Sequence, residues 1–178
     1  MTIEITDKPT KEQVREAYEI SIQRNGIYAN PNMKLKSQDK QAVLNILYGV
    51  ALIIITVLLG IFNGFDTLTT IAMTLAGVVF IFAIMWLFMY KASFKKFSDA
   101  YQSLEKSELT YDEDGIAVGM NGTANVRINW NKIKFIRTFE EFFVVFEDTT
   151  VNSLLIPVKY KEQILNYMSE NSITPTMY

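Results

Sequence analysis

Two long uncharged apolar runs, separated by only five residues, constrain this chain more than any other feature. Ala42–Phe62, AVLNILYGVALIIITVLLGIF, has 21 residues, and Leu68–Tyr90, LTTIAMTLAGVVFIFAIMWLFMY, has 23. At about 1.5 Å of rise per helical residue, each reaches across the ~30 Å hydrocarbon core of a bilayer. Enclosing two such helices in a soluble core would take more covering surface than the rest of a 178-residue chain supplies. The sequence therefore predicts a transmembrane helical hairpin over 42–90, and the linking NGFDT, 63–67, is short enough to make the two helices antiparallel.

Lysine sets the orientation. Lys34, Lys36 and Lys40 precede the first run, Lys91, Lys95 and Lys96 follow the second, and Ile61–Thr70 holds neither lysine nor arginine. Cation-rich flanks stay on the cytoplasmic side, so both termini are expected there and the tip on the far side. The same six lysines are expected to meet anionic membrane lipid, at about 1 kcal/mol each. Within the runs, Asn45, Gly49, Thr56 and Gly60, and on the other side Thr69, Ala72, Ala76 and Ala83, recur at helical spacing. Small residues let backbones approach closely, so these positions predict helix pairing, inside the hairpin or in a homodimer. Neither run carries Asp, Glu, Lys, Arg or His, which argues against a pump or proton-coupled carrier. Trp86 and Tyr90 read as interfacial anchors.

Charge and composition narrow the chemistry. The balance of 17 basic and 19 acidic residues announces no polyanion-binding face, and no nucleic-acid partner is expected. Cysteine and histidine are both absent, which removes disulfides, thiol nucleophiles, imidazole bases and Cys/His metal sites together. No glycine-rich phosphate loop, nucleophile elbow or apolar pair of carboxylates stands out, so no cofactor, metal or catalytic set is expected. Asp112, Glu113 and Asp114 lack the further ligands of a calcium loop and read as a solvated turn. Asn121-Gly122-Thr123 is a formal glycosylation sequon whose Asn-Gly pair reads as a hairpin turn.

The flanks divide the remaining chain. In segment 1–41, MTIEIT alternates like a strand, and TKEQVREAYEISIQRN reads as a helix with a Thr10/Gln13 capping box. Its stripe is Val14, Ala17, Tyr18 and Ile22, it is expected to cover part of the neighbouring domain, and Asn25-Gly26 is expected to end it. Segment 91–107 extends the second helix past the apolar run with Phe94, Phe97, Tyr101 and Leu104 on one face. From 108 to 178 six short strands and a closing helix with Tyr160, Ile164, Tyr167 and Met168 predict an antiparallel α+β domain. In the third strand Val126, Ile128 and Trp130 are expected on one face, with Asn125, Arg127 and Asn129 opposite. Trp130 reads as packing rather than a ligand platform. One of the adjacent Phe142 and Phe143 must face outward on an alternating strand, near Phe146, and so offers a partner surface.

The stretches LTYDEDGI with Gly115, INWNKIKFI with Trp130, EEFFVVF, and LLIPVKY with Pro157 and Tyr160 resemble the YcxB-like family of small bacterial membrane proteins. The resemblance implies a pleckstrin-homology-like C-terminal barrel or sandwich capped by a helix, behind a strand, a helix and a two-helix hairpin. It assigns Gly115, Trp130, Pro157 and Tyr160 structural roles and no catalytic set, and it places the chain in a bacterial inner membrane. After Pro157 the family tends to carry more basic residues, whereas VKY keeps Lys159 alone. The expected role is a non-catalytic adaptor or sensor that recruits a protein partner at the cytoplasmic face. The alternatives are immunity against membrane-active peptides and an accessory subunit of an exporter.

Overall fold

The structure, a computed structural model, describes residues 1–5, 7–103, 107–120, 126–150 and 152–178. Leu104, the Asn121-Gly122 turn with its sequon, and Asn125 fall outside these. The described chain forms two compact units: residues 36–96, and a second made of 1–35 together with 97–178.

The second unit is built on two antiparallel sheets. Strands β1 (Thr2–Ile5), β2 (Ser107–Tyr111), β3 (Gly115–Met120) and β4 (Val126–Asn129) form the first, in sequence order. Strands β5 (Ile133–Thr138), β6 (Phe142–Glu147) and β7 (Ser153–Pro157) form the second. The N-terminal strand thus belongs to the C-terminal domain, with Thr2 opposite Thr110 and Ile5 opposite Ser107. That corrects the expected separate segment 1–41 and raises the strand count from six to seven. Strand β2 itself begins at Ser107.

Of the expected barrel or sandwich, the barrel does not close. After β4 the chain makes a 3-10 turn at Trp130–Lys132 instead of a strand pair, so Trp130 sits in a turn and not on a strand face. The outer edge of β5 is taken by the C-terminal residues: the Ile136 amide donates to the Thr176 carbonyl at 2.8 Å, and the Tyr178 amide to the Ile136 carbonyl at 2.9 Å. With that edge occupied, β4 and β5 do not pair.

The second sheet is covered on both faces, which explains the unbroken apolar run FFVVF. Phe143 and Val145 point into a core shared with Leu109, Tyr111, Ile116 and Ile128 of the first sheet and with Ile164 and Met168 of α4 (Lys161–Glu170). Phe142, Val144 and Phe146 point the other way, against Ala17, Ile20 and Ile27 of α1 (Lys11–Ala29). Phe142 is 1 % exposed and Phe143 fully buried, so the outward-facing phenylalanine expected to form a partner surface is instead sealed by α1.

Helix α1 starts at the capping box read from sequence: the Gln13 amide donates to Thr10 Oγ1 at 3.1 Å, and the Thr10 amide to Gln13 Oε1 at 3.0 Å. It does not stop at Asn25-Gly26 but runs to Ala29, with Asn30 as its C-cap. Gly26 is used for space: a Cβ there would lie 3.1 Å from the Met33 thioether. Ile22, assigned to the stripe, is 46 % exposed, while Ile20 and Ile27 carry the contact. Polar ties fix the helix to the sheet. The Glu16 carboxylate accepts from the Glu140 and Glu141 amides at 2.9 and 2.6 Å, and the Tyr28 hydroxyl donates to the Asp148 carbonyl at 2.5 Å.

Residues 36–96 hold α2 (Gln38–Asn63) and α3 (Thr67–Gln102) as far as Lys96, and both helices are long and apolar enough to cross a membrane. Only 17 % and 11 % of their most apolar stretches are buried, unlike the core helices of a soluble protein. The linker is shorter than expected, since Asn63 closes α2 and Thr67 opens α3. Gly64 ends α2 at φ 87°, a positive-φ backbone that glycine adopts without steric cost. Asp66 then caps α3, accepting from the Thr69 amide at 2.7 Å and its hydroxyl at 2.6 Å.

Candidate functional site

Of the two helix-pairing glycines, Gly49 is the one that faces the partner helix. A Cβ there would meet the Phe80 backbone Cα and ring at 3.1 Å, so the missing methyl is what lets α2 and α3 touch. Gly60 is buried for a different reason: the Phe65 ring folds over it and would stand 2.4 Å from a Cβ. Ala76 is buried and Ala72 half-buried on α3. Thr56 is half-buried, and its hydroxyl donates within α2, to the Leu52 and Ile53 carbonyls at 2.9 and 3.0 Å. The buried positions Thr69, Ala76, Ala83 and Tyr90 recur every seventh residue of α3, the spacing of a left-handed antiparallel seam. Lys34, Lys36, Lys40, Lys91, Lys95 and Lys96 are all exposed.

The acidic turn 112–115 is a clasp. Asp112 Oδ1 accepts from the Asp114 and Gly115 amides at 3.0 and 3.3 Å and pairs with the Arg127 guanidinium. The Trp130 indole donates to the Asp112 carbonyl at 2.7 Å, and its ring lies 6.0 Å from that of Tyr167. Burial alone would raise the Asp112 pKa, but the amide of Asp114 and the Arg127 guanidinium outweigh it and hold the carboxyl below its usual value of 3.8. Among the described residues no cluster of three acidic side chains is arranged to hold a metal ion. Gly115 has no room for a side chain: a Cβ would fall 2.3 Å from the Ile128 carbonyl across the β3–β4 pair.

Pro157 closes β7, and Tyr160 follows in a 3-10 turn against the core. Lys159 between them turns back to the N-terminal segment and pairs with Asp7, which raises its pKa above 10.5. Its ammonium also lies 4.8 Å from the Tyr160 ring centre.

Sequence reading missed a groove. It is open, about 370 Å³ in volume, and lies between α1, the end of α3 and the edge strand β7. Ala17 and Ser21 form one wall, Phe97, Ala100 and Tyr101 another, and Val118, Val126 and Ser153–Leu155 the floor. A second cavity of about 230 Å³ shares Tyr101, Val118 and Leu155 and runs to Asp7, Lys8 and Lys159. Val126, 49 % exposed, faces this open space, whereas Ile128 on the same strand is fully buried. Phe97 stacks on Tyr101 with ring centres 5.5 Å apart and meets Tyr18 at 5.2 Å. Burial pushes the Tyr101 phenol up to about 12, so it stays a neutral hydrogen-bond donor. The sequence signal was present in the Phe97/Tyr101 face. Nothing local showed that α1 and β7 would come to flank it.

Residues 111–159 match the family model described as YcxB-like protein. The match runs from the end of β2 to the turn after β7 and leaves out β1, α1, the helical hairpin and α4. No curated protein and no solved structure matches the chain.

Proposed function

We propose that this is a bacterial inner-membrane protein in which α2 and α3 insert as a hairpin and hold the two-sheet unit at the cytoplasmic face, where it recruits a protein partner. The observation that carries the reading is the exposed apolar surface of both helices, of which only 17 % and 11 % of the most apolar stretches are covered by protein. Water would oppose leaving that surface bare, and a bilayer removes the penalty. A second consideration supports the topology. Residues 1–35 and 97–178 fold as one compact unit, and a folded body cannot be divided between two sides of a membrane. Both outer ends of the hairpin must then lie on one side, and the lysines flanking it favour the cytoplasm.

Anchoring confines the search for a partner to the membrane plane and raises effective concentration, which suits an adaptor. Because the chain has no cysteine, single cysteines at Asn63 and Thr174 test the topology with an impermeant thiol reagent on whole cells. Labelling at Asn63 alone is the expected result, and labelling at Thr174 alone overturns the orientation. Capture from intact membranes, with the hairpin-less domain as control, tests recruitment: a partner held by both forms supports an adaptor.

A further inference from the structure

The groove beside β7 has no occupant in the reading above. We propose that it holds one acyl chain of an anionic phospholipid drawn from the bilayer that carries the hairpin, and this rests on the membrane-anchored reading. The lining comes first. Its described residues carry no charge: Phe97, Val118, Val126 and Leu155 supply apolar surface, with only the hydroxyls of Ser21, Tyr101 and Ser153 among them. At about 370 Å³ the space sits at the lower end of the ~300–1,000 Å³ typical of small-molecule sites. A three-turn helix about 10 Å across displaces on the order of 1,000 Å³, so a partner helix would seat only a side chain or two here.

Reach and charge then identify the source. Phe97, in the wall of the groove, follows Tyr90, the last residue of the apolar run, by seven positions. Seven residues span at most about 25 Å, so the chain itself keeps Phe97 within that distance of the end of the apolar run. Three of the intervening residues are the exposed Lys91, Lys95 and Lys96, cations for a negatively charged headgroup. The neutral Tyr101 hydroxyl adds a donor for a lipid oxygen.

The test uses the full chain in phosphatidylcholine vesicles containing phosphatidylglycerol, a trace of it bearing a photoactivatable group near one acyl terminus. After irradiation, label is expected in α2 and α3 and also on the peptide containing Leu154 and Leu155, a strand no bilayer-embedded helix accounts for. Ala100→Trp, at an exposed position that opens on the groove, should displace several methylenes and lower the β7 label about tenfold while label in the apolar runs is unchanged. Ser21→Trp, from the opposite wall, should do the same, so that misfolding of one variant cannot decide the outcome. Labelled spans with an unlabelled β7, or β7 label indifferent to both tryptophans, overturns the lipid and leaves a polypeptide as the occupant to seek. Loss of label from the spans themselves overturns the hairpin reading and this inference with it.

Discussion

At the scale of single residues, the most exacting positions are those where backbone meets backbone. Gly115 faces Asn129 across the β3–β4 ladder, and a methyl there would press on the Ile128 carbonyl at 2.3 Å. Gly115→Ala should therefore cost about 1–3 kcal/mol, read as a lower midpoint in denaturant titration followed by Trp130 fluorescence. Asp112 gives a pH dependence. Its folded-state pKa lies below 3.8, so its clasp stabilises the fold above that pH and the contribution is lost as pH falls through the depressed value. In Asp112→Asn this part of the acid limb should be missing, and an unchanged limb would mean the Arg127 pairing does no thermodynamic work. The acidic turn and its glycine were legible in sequence because turn chemistry is local. The partners Arg127 and the Trp130 indole were not, since they arrive 15 and 18 residues later.

Helices were the most legible elements, and their limits the least. The capping box fixed the start of α1, but Gly26 read as a stop because its role, clearance for Met33, depends on a turn that follows the helix. Likewise Asn63 and Thr67 read as loop, yet Asp66 caps α3 and draws both helices to within three residues of each other. In the hairpin, Gly49 and Gly77 offer a matched comparison. Gly49→Ala should press on Phe80 and lower stability in detergent by about 1–3 kcal/mol. Gly77 has open space where its Cβ would go, so Gly77→Ala should be neutral or stabilising by up to about 1 kcal/mol. Equal effects at both sites would show that the small residues record composition and not contact.

For the whole molecule, the decisive fact is that one domain is assembled from two ends of the chain. Strand β1, four residues of simple alternation, carried no sign that its partner lay more than 100 positions away, because long-range pairing leaves no periodicity to read. The same blindness made one of Phe142 and Phe143 look like an open partner surface, when α1 covers Phe142 and the core takes Phe143. Residues 107–178 expressed alone lack both β1 and α1, so they should aggregate, with Phe142, Val144 and Phe146 bare. Joining 1–35 to 97–178 through a Gly/Ser linker in place of 36–96 should instead give a soluble, cooperatively unfolding protein. If the shorter fragment is the well-behaved one, the composite domain is wrong.

That pairing of distant ends also dictates a timetable during synthesis. Thr2 leaves the ribosome long before Thr110 exists, so the leading strand and its helix must wait, unsatisfied, while α2, α3 and the trailing strands are made. Completion of the domain thereby reports that everything between its two halves has already been translated.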